Sequence, residues 1–144
     1  MGKFDGITVE ELQPAASGQI DFNLYDGVKS EIAGIKIATI RSDYNDDGQL
    51  LPGLQREMPE MRVFTKVVGQ KETGDDIVAM EKLPMKIDAK TGKPIYSLHE
   101  KSKTKRLLNH YKVNTPAELV GKPVTVIIRC GAKNPDFKWL GFNY

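Results

Sequence analysis

The sequence has almost no cysteine and no long apolar run. Cys130 is the one cysteine among 144 residues, so an intramolecular disulfide and a cysteine-rich zinc module are both excluded. No apolar stretch approaches the roughly 20 residues that a membrane-spanning helix needs. The first residues also lack the basic opening and apolar core of a signal peptide. We therefore expect a cytoplasmic protein that makes no membrane contact.

The motifs of common hydrolases and nucleotide-binding enzymes are also missing. The chain contains no G-x-S-x-G, no P-loop lysine motif and no G-x-G-x-x-G. Asp136-Phe137-Lys138 has the D-x-K form of some metal-dependent nucleases, but such an enzyme needs several carboxylates converging on one divalent ion. We expect a protein that is not an enzyme and needs no cofactor, and we keep a metal-dependent nuclease as an alternative.

Two patterns that could bind metal are incomplete. Residues 43–48 match the first half of a calcium loop, but the twelfth position is Leu54 instead of the required glutamate. His99 and His110 stand far apart in the chain without a neighbouring cysteine, which does not fit the ligand spacing of a zinc site. We predict no metal site, and an acidic turn at residues 43–48.

The positive charge is concentrated toward the end of the chain. The net charge is +2, yet residues 1–98 carry 12 basic and 16 acidic side chains (−4), whereas residues 99–144 carry 9 and 3 (+6). Five basic side chains fall close together: Lys101, Lys103, Lys105, Arg106 and Lys112. Such a concentration suits a polyanionic partner, and a solvated helix face is the alternative explanation.

The pattern of apolar residues predicts a mainly β chain with one helix. Alternating or β-branched segments predict strands at 20–24, 31–41, 61–68, 77–87, 124–129 and 137–144, with a short hairpin extension at 95–98. Gly34 marks a bulge and Pro84 a break or bulge in its strand, and residues 49–59 form a long mobile loop. Ser102 caps a helix at 103–111, and Thr115-Pro116 opens a second, very short helical turn.

The order of these elements resembles that of a known barrel architecture. A helix between the third and fourth of five antiparallel strands is the arrangement of the OB-fold, which binds oligonucleotides across its second and third strands. We predict a five-stranded, OB-like, partly open barrel with an N-terminal extension. Residues 1–18 would form a flexible arm and residues 19–144 a single domain. An α+β sandwich is the alternative fold.

Charged and aromatic residues interleave on the predicted strands. Arg62-x-Phe64-x-Lys66 places three such side chains outward on one strand, and single-strand binders combine stacking rings with cations in this way. Trp139 and Tyr96 are further stacking candidates, with burial as the alternative for Trp139. The helix cations would flank this face. The predicted binding residues are Arg62, Phe64, Lys66, Tyr96, Lys103, Lys105, Arg106, Lys112 and Trp139.

Two short motifs resemble a protein family. The sequence K-T-K-R-L-L at 103–108, followed by E-L-V-G-K-P-V-T-V at 118–126, resembles small phage-encoded OB-fold proteins of the single-stranded-DNA-binding type. In that family a short basic helix precedes an L-x-G-K-P turn, and the last strand ends in aromatic or apolar residues, here 139–142. The resemblance implies a non-catalytic role in phage DNA replication or recombination, in the host cytoplasm.

Several properties stay open at the level of sequence. The chain carries no acid after Asp136, whereas many single-strand binders recruit partners through an acidic tail, so recruitment would use another surface. A phage structural or protein-interaction module, presenting the 49–59 loop to a protein partner, is the alternative function. DNA and RNA, and a monomer and a homo-oligomer, are equally compatible with the sequence.

Overall fold

The computed structural model describes residues 2–16, 18–43, 49–50 and 56–144. These residues form a mainly β fold with one α-helix. In chain order the elements are β1 (Lys29–Ser42), β2 (Arg56–Thr65), β3 (Gly69–Gln70), β4 (Asp76–Ile77), β5 (Met80–Ile87), β6 (Pro94–Tyr96), α1 (Lys103–Tyr111), β7 (Pro123–Cys130) and β8 (Lys138–Phe142). Short 3₁₀ turns lie at Val9–Glu11, Phe22–Leu24 and Pro116–Leu119.

Six strands form one antiparallel sheet in the order β6-β5-β2-β1-β7-β8, and β3 and β4 form a separate small hairpin. Within the described residues no backbone ladder joins β8 back to β5, so the sheet is not a closed barrel. The prediction of a mainly β, antiparallel fold with one helix is confirmed. The predicted count of five strands is wrong, because Pro94–Tyr96 pairs with β5 and adds a sixth strand.

The long β1–β2 pair contains the predicted bulge. The register between the two strands shifts between Ile32 and Gly34. A Cβ atom added at Gly34 would lie 2.8 Å from Cζ of Phe64, the residue opposite it. Glycine lets the Phe64 ring lie directly against the backbone of β1, and a larger residue at position 34 would displace that ring.

The core lies on the inner face of the curved sheet and under the helix. On β2 the buried residues are Met61, Val63 and Thr65, while the residues between them point outward. This is the alternation that the sequence predicts. Helix α1 buries Leu107 and Leu108 against the core, and its first turn is capped by Ser102, whose side chain accepts a hydrogen bond from Lys105 N. The predicted helix and its cap are confirmed.

Three local predictions need correction. The strand predicted at 20–24 is a 3₁₀ turn, Phe22–Leu24, because Asp21 caps it by accepting a hydrogen bond from Asn23 N. The end of the predicted 49–59 loop is strand, since residues 56–59 pair with β1. Pro84 does not break β5, because it lies where the β2 ladder ends and the β6 ladder begins, so its missing N–H interrupts neither.

The N-terminal segment and the acidic turn are described only in part. All side chains of residues 2–16 are exposed; the division into an arm and a domain stays a prediction. Residues 44–48 of the acidic turn and residues 51–55 of the predicted loop lie outside the described residues. In the described ranges, no helix has the length and apolar character needed to cross a bilayer.

Candidate functional site

The outer face of β1, β2 and β5 carries a row of cations. Lys36, Arg62 and Lys82 are directly opposite one another on the three adjacent strands, which lie about 4.8 Å apart in a sheet. Like charges in neighbouring positions normally destabilise a sheet. Arg62 is partly neutralised, because its Nε donates a hydrogen bond to Glu60 Oε1 at 2.9 Å. Lys36 and Lys82 remain exposed.

An aromatic and aliphatic row lies beside these cations. The Phe64 ring covers Gly34, and Met80 is opposite Phe64 on β5. Lys66 lies just beyond β2 and forms an ion pair with Glu31. Arg62 and Phe64 therefore share the outward face of β2, and Arg62 and Lys66 already have acidic partners.

A groove opens between β5, β8 and the 3₁₀ turn that contains Phe22; we call it the β5–β8 groove. It has a volume of about 420 Å³ and is lined by Ile20, Phe22, Val78, Met80, Lys82, Lys103, Phe137, Lys138, Trp139 and Leu140. Its walls are mostly apolar, and the rings of Phe137 and Trp139 have centroids 5.7 Å apart. None of the described residues that line it is acidic.

The three lysines at this groove differ in their surroundings. Lys103 Nζ lies 2.8 Å from Glu81 Oε2 and also donates to the backbone carbonyl of Lys82. Lys82 and Lys138 are exposed and form no ion pair with any described residue. Two uncompensated positive charges therefore stand beside an aromatic wall.

The aromatic wall follows from the alternation on β8. Leu140 and Phe142 are buried in the core, while Trp139 is half-buried on the other face and Phe137, just before the strand, is 64% exposed. This is the arrangement that the sequence predicts for the last strand. Trp139 is not enclosed in the core, so its ring is available along the groove.

A buried carboxylate lies between β5 and its neighbours. Glu81 points inward from β5 and is 0% exposed. Its Oε1 accepts hydrogen bonds from Phe142 N at 2.8 Å and from Arg129 Nε at 2.7 Å, and its Oε2 faces Lys103. Glu81 thereby links β5 to β8, β7 and α1 where a backbone ladder between β5 and β8 is missing. We call these four residues the Glu81 cluster.

The close approach around Glu81 requires Gly141. A Cβ atom at Gly141 would lie 2.6 Å from Glu81 Oε1 and 2.7 Å from Arg129 Cδ. Arg129 also donates to the Phe142 carbonyl at 2.6 Å and stacks its guanidinium 5.0 Å from the centroid of the Tyr144 ring. Burial, and then the negative charge of Glu81, raise the pKa of Tyr144 to about 12, against the opposing effect of Arg129.

The structure divides the predicted binding residues among three places. Arg62, Phe64 and Lys66 lie on the outer sheet face, and Lys103 and Trp139 line the β5–β8 groove. The remaining four lie elsewhere: Tyr96, Lys105, Arg106 and Lys112. The predicted set is therefore not one continuous patch.

The four outlying residues have other environments. Tyr96 is half-buried and lines a separate apolar groove of about 550 Å³ beside Ile37. Lys105 and Arg106 belong to α1, and Lys112 is the left-handed C-cap of that helix, with φ 55°. None of the three helix cations lines the β5–β8 groove.

Of the ten described residues that line the groove, the sequence predicts only Lys103 and Trp139 as binding residues. Lys82 and Met80 alternate with buried neighbours on β5, but only the pairing of β5 with β2 shows that they continue the outer face. Phe22 belongs to a segment that was predicted as strand. Lys138, the lysine of the D-x-K sequence, also lines the groove, and its approach to β5 depends on tertiary structure.

The D-x-K sequence at 136–138 is not part of a cluster of metal-binding side chains among the described residues. Asp136 lies in an exposed turn, whereas Glu81 is buried. In the part of the chain that the structure describes, no group of three or more His, Cys, Asp or Glu side chains could hold a metal ion.

No protein-family model, curated protein or solved structure matches this chain. The resemblance to phage-encoded OB-fold proteins thus depends on the two sequence motifs at 103–108 and 118–126. What the protein binds has to follow from the contacts, burial and charges of the described residues.

Proposed function

We propose that this protein binds single-stranded nucleic acid without catalysing a reaction on it, in the β5–β8 groove and across the adjoining outer face. The observation that carries the proposal is the groove itself. It combines the exposed ring of Phe137 and the half-buried ring of Trp139 with the free charges of Lys82 and Lys138. Rings and cations along one groove are the two elements that binders of single strands use.

The chemistry of the groove favours a single strand over a duplex. Stacking of a base on an aromatic side chain is worth about 1–3 kcal/mol per base, and only an unpaired, unstacked base exposes its faces. Lysines contribute by releasing counterions from the phosphates, which makes the affinity depend on salt. A duplex could use the lysines but not the rings, so we expect weaker binding of duplex than of single strand.

The strand order supports an OB-like interpretation of the fold. If β3, β4 and β6 are treated as additions, β1 pairs with β2 and β7, β5 follows β2, and the helix lies between β5 and β7. An OB-fold has this order and binds oligonucleotides on its second and third strands, which correspond to β2 and β5. In the proposed fold the Glu81 cluster bridges the seam between β5 and β8.

The biological setting belongs to the same proposal. Its support is the sequence resemblance, which implies a phage protein acting in DNA replication or recombination in the host cytoplasm. Binding to DNA or to RNA would use the same rings and lysines, and a comparison of the two nucleic acids settles the preference.

The proposal is tested by fluorescence anisotropy with labelled oligonucleotides of about 30 nucleotides, longer than one OB-type site. We expect binding that prefers the single strand to its duplex and weakens as salt rises. No binding at low salt would contradict the proposal. The protein-interaction alternative would then be the better account of these surfaces.

A lysine substitution tests the groove specifically. Lys82→Ala removes a cation at the junction of the groove and the outer face, so the slope of log affinity against log salt should fall by about 0.7, the value for one phosphate contact on a single strand. Lys90→Ala, in the exposed turn between β5 and β6, is the matched control and should leave the slope unchanged. Equal slopes for both variants would place the phosphate contacts elsewhere.

A further inference from the structure

Residues 2–16, the described part of the predicted N-terminal arm, expose apolar side chains together with acidic ones. Phe4, Ile7, Val9 and Leu12 are 73%, 51%, 78% and 67% exposed. The same segment carries three acidic side chains and one basic side chain. Covering side chains that are this exposed with another surface is favourable, because it removes apolar area from water.

The β5–β8 groove is complementary to the arm in both respects. Its walls are apolar and aromatic, its charged lining residues are all lysines, and none of the described lining residues is acidic. The separate groove beside Tyr96 has Lys93 as its one charged lining residue among the described positions. Charge complementarity therefore favours the β5–β8 groove as the surface that receives the arm.

The connection of the arm to the domain favours the same groove. The segment that follows the arm lines this groove with Ile20 and Phe22. An extended chain spans about 3.3 Å per residue, so the arm is long enough to turn back across the groove. A segment tethered this close has an effective concentration in the millimolar range, which makes even a weak contact count.

We propose that the arm docks in the β5–β8 groove of its own chain and competes there with nucleic acid; the competition rests on the function proposed above. The described conformation, in which no arm residue lines the groove, is the open state. The apolar side chains of the arm cover the rings of Phe137 and Trp139, and its carboxylates face Lys82 and Lys138. The arm thereby occupies the same contacts that bases and phosphates would use.

The competition has a measurable size. If the arm is docked about 80% of the time, the fraction of competent protein is one fifth, and the apparent affinity for nucleic acid is about fivefold below the intrinsic one. Because docking includes a charge contribution, it weakens as salt rises. The affinity for nucleic acid should then fall less steeply with salt in the intact protein than in one whose arm cannot dock.

The test uses the full chain with Phe4→Ser, Ile7→Ser and Val9→Ser combined. The control replaces two apolar residues that are also more than half exposed but lie outside both arm and groove, Val67→Ser and Val120→Ser. The first measurement is the emission of Trp139, the one tryptophan in the chain, without nucleic acid. We expect a red shift in the arm variant, because undocking returns water to the ring, and no shift in the control.

The second measurement is the affinity for a single-stranded oligonucleotide. For an arm that is docked about 80% of the time, it should rise about fivefold in the arm variant, and it should stay constant in the control. Unchanged emission and unchanged affinity would overturn the proposal, and so would an emission shift that appears only at high protein concentration, which would indicate the arm of a second copy. An emission shift in a protein that binds no oligonucleotide would refute the proposed function while supporting arm docking. Oligonucleotide binding without an emission shift in the arm variant would support the proposed function and refute arm docking.

Discussion

Removal of the Glu81 carboxylate should destabilise the protein more than any surface substitution. In Glu81→Ala, the Phe142 N–H loses its acceptor and the two cations lose their shared partner. Breaking a buried ion pair from one side costs about 3–5 kcal/mol. The side chains of Lys103 and Arg129 are 28% and 29% exposed, so water can solvate them partly. We therefore expect the free energy of unfolding to fall by about 3 kcal/mol, near the lower end of this range.

A neutral isostere separates the charge from the hydrogen bond. In Glu81→Gln the amide oxygen still accepts from the Phe142 N–H, and what is lost is the attraction to the cations. We expect a smaller loss of about 1–3 kcal/mol, the cost of leaving a buried partner poorly satisfied. The order of stability should be wild type, then Gln, then Ala.

Urea denaturation followed by circular dichroism measures these differences. The transition midpoint should move while the dependence on urea stays constant, because the surface exposed on unfolding hardly changes. Glu100→Gln, at an exposed turn, is the control and should stay within about 0.5 kcal/mol of wild type. If Glu81→Ala also stayed within that margin, the Glu81 cluster would not be what joins β5 to β7, β8 and α1.

Two further predictions concern the neighbours of this carboxylate. Gly141→Ala should cost about 1–3 kcal/mol in urea denaturation, because its Cβ would lie 2.6 Å from Glu81 Oε1, whereas Gly18→Ala has open space and should be close to neutral. The pKa of Tyr144 is raised to about 12, above its ordinary value near 10. Its neutral phenol therefore contributes fully to the stability of the folded protein below about pH 10, and this contribution is lost as the pH rises toward 12. Tyr144→Phe, compared with wild type by unfolding at several pH values, should show a smaller loss of stability over this interval. Identical pH profiles would contradict the assigned surroundings of Tyr144.

Local features of the fold were predictable from sequence because they depend on neighbouring residues. The helix at Lys103–Tyr111 follows from the Ser102 cap and the Leu107-Leu108 pair, and the outward and inward faces of β2 follow from strict alternation. The bulge at Gly34 was also predictable. The 3₁₀ turn at Phe22–Leu24 was not, because its apolar alternation also fits a strand, and only the capping by Asp21 decides between them.

The site was less predictable because it joins distant segments. The groove brings Phe22, Met80 and Trp139 together from three parts of the chain, and no periodicity in one segment reports such a contact. Glu81 did carry a signal, since it is an acid at an inward position between the buried Ala79 and Leu83. An acid at such a position demands a buried partner, but its partners follow only from the fold.

The central claim is that bases stack in the β5–β8 groove, and Trp139 allows the most direct measurement. As the one tryptophan of the chain, it reports its own surroundings when single-stranded oligonucleotide is added to the full-length protein. The account predicts quenching of its emission that saturates with single strand, is weaker with the matching duplex, and requires more oligonucleotide as salt rises. Oligonucleotide binding detected by anisotropy without any change in Trp139 emission would contradict it.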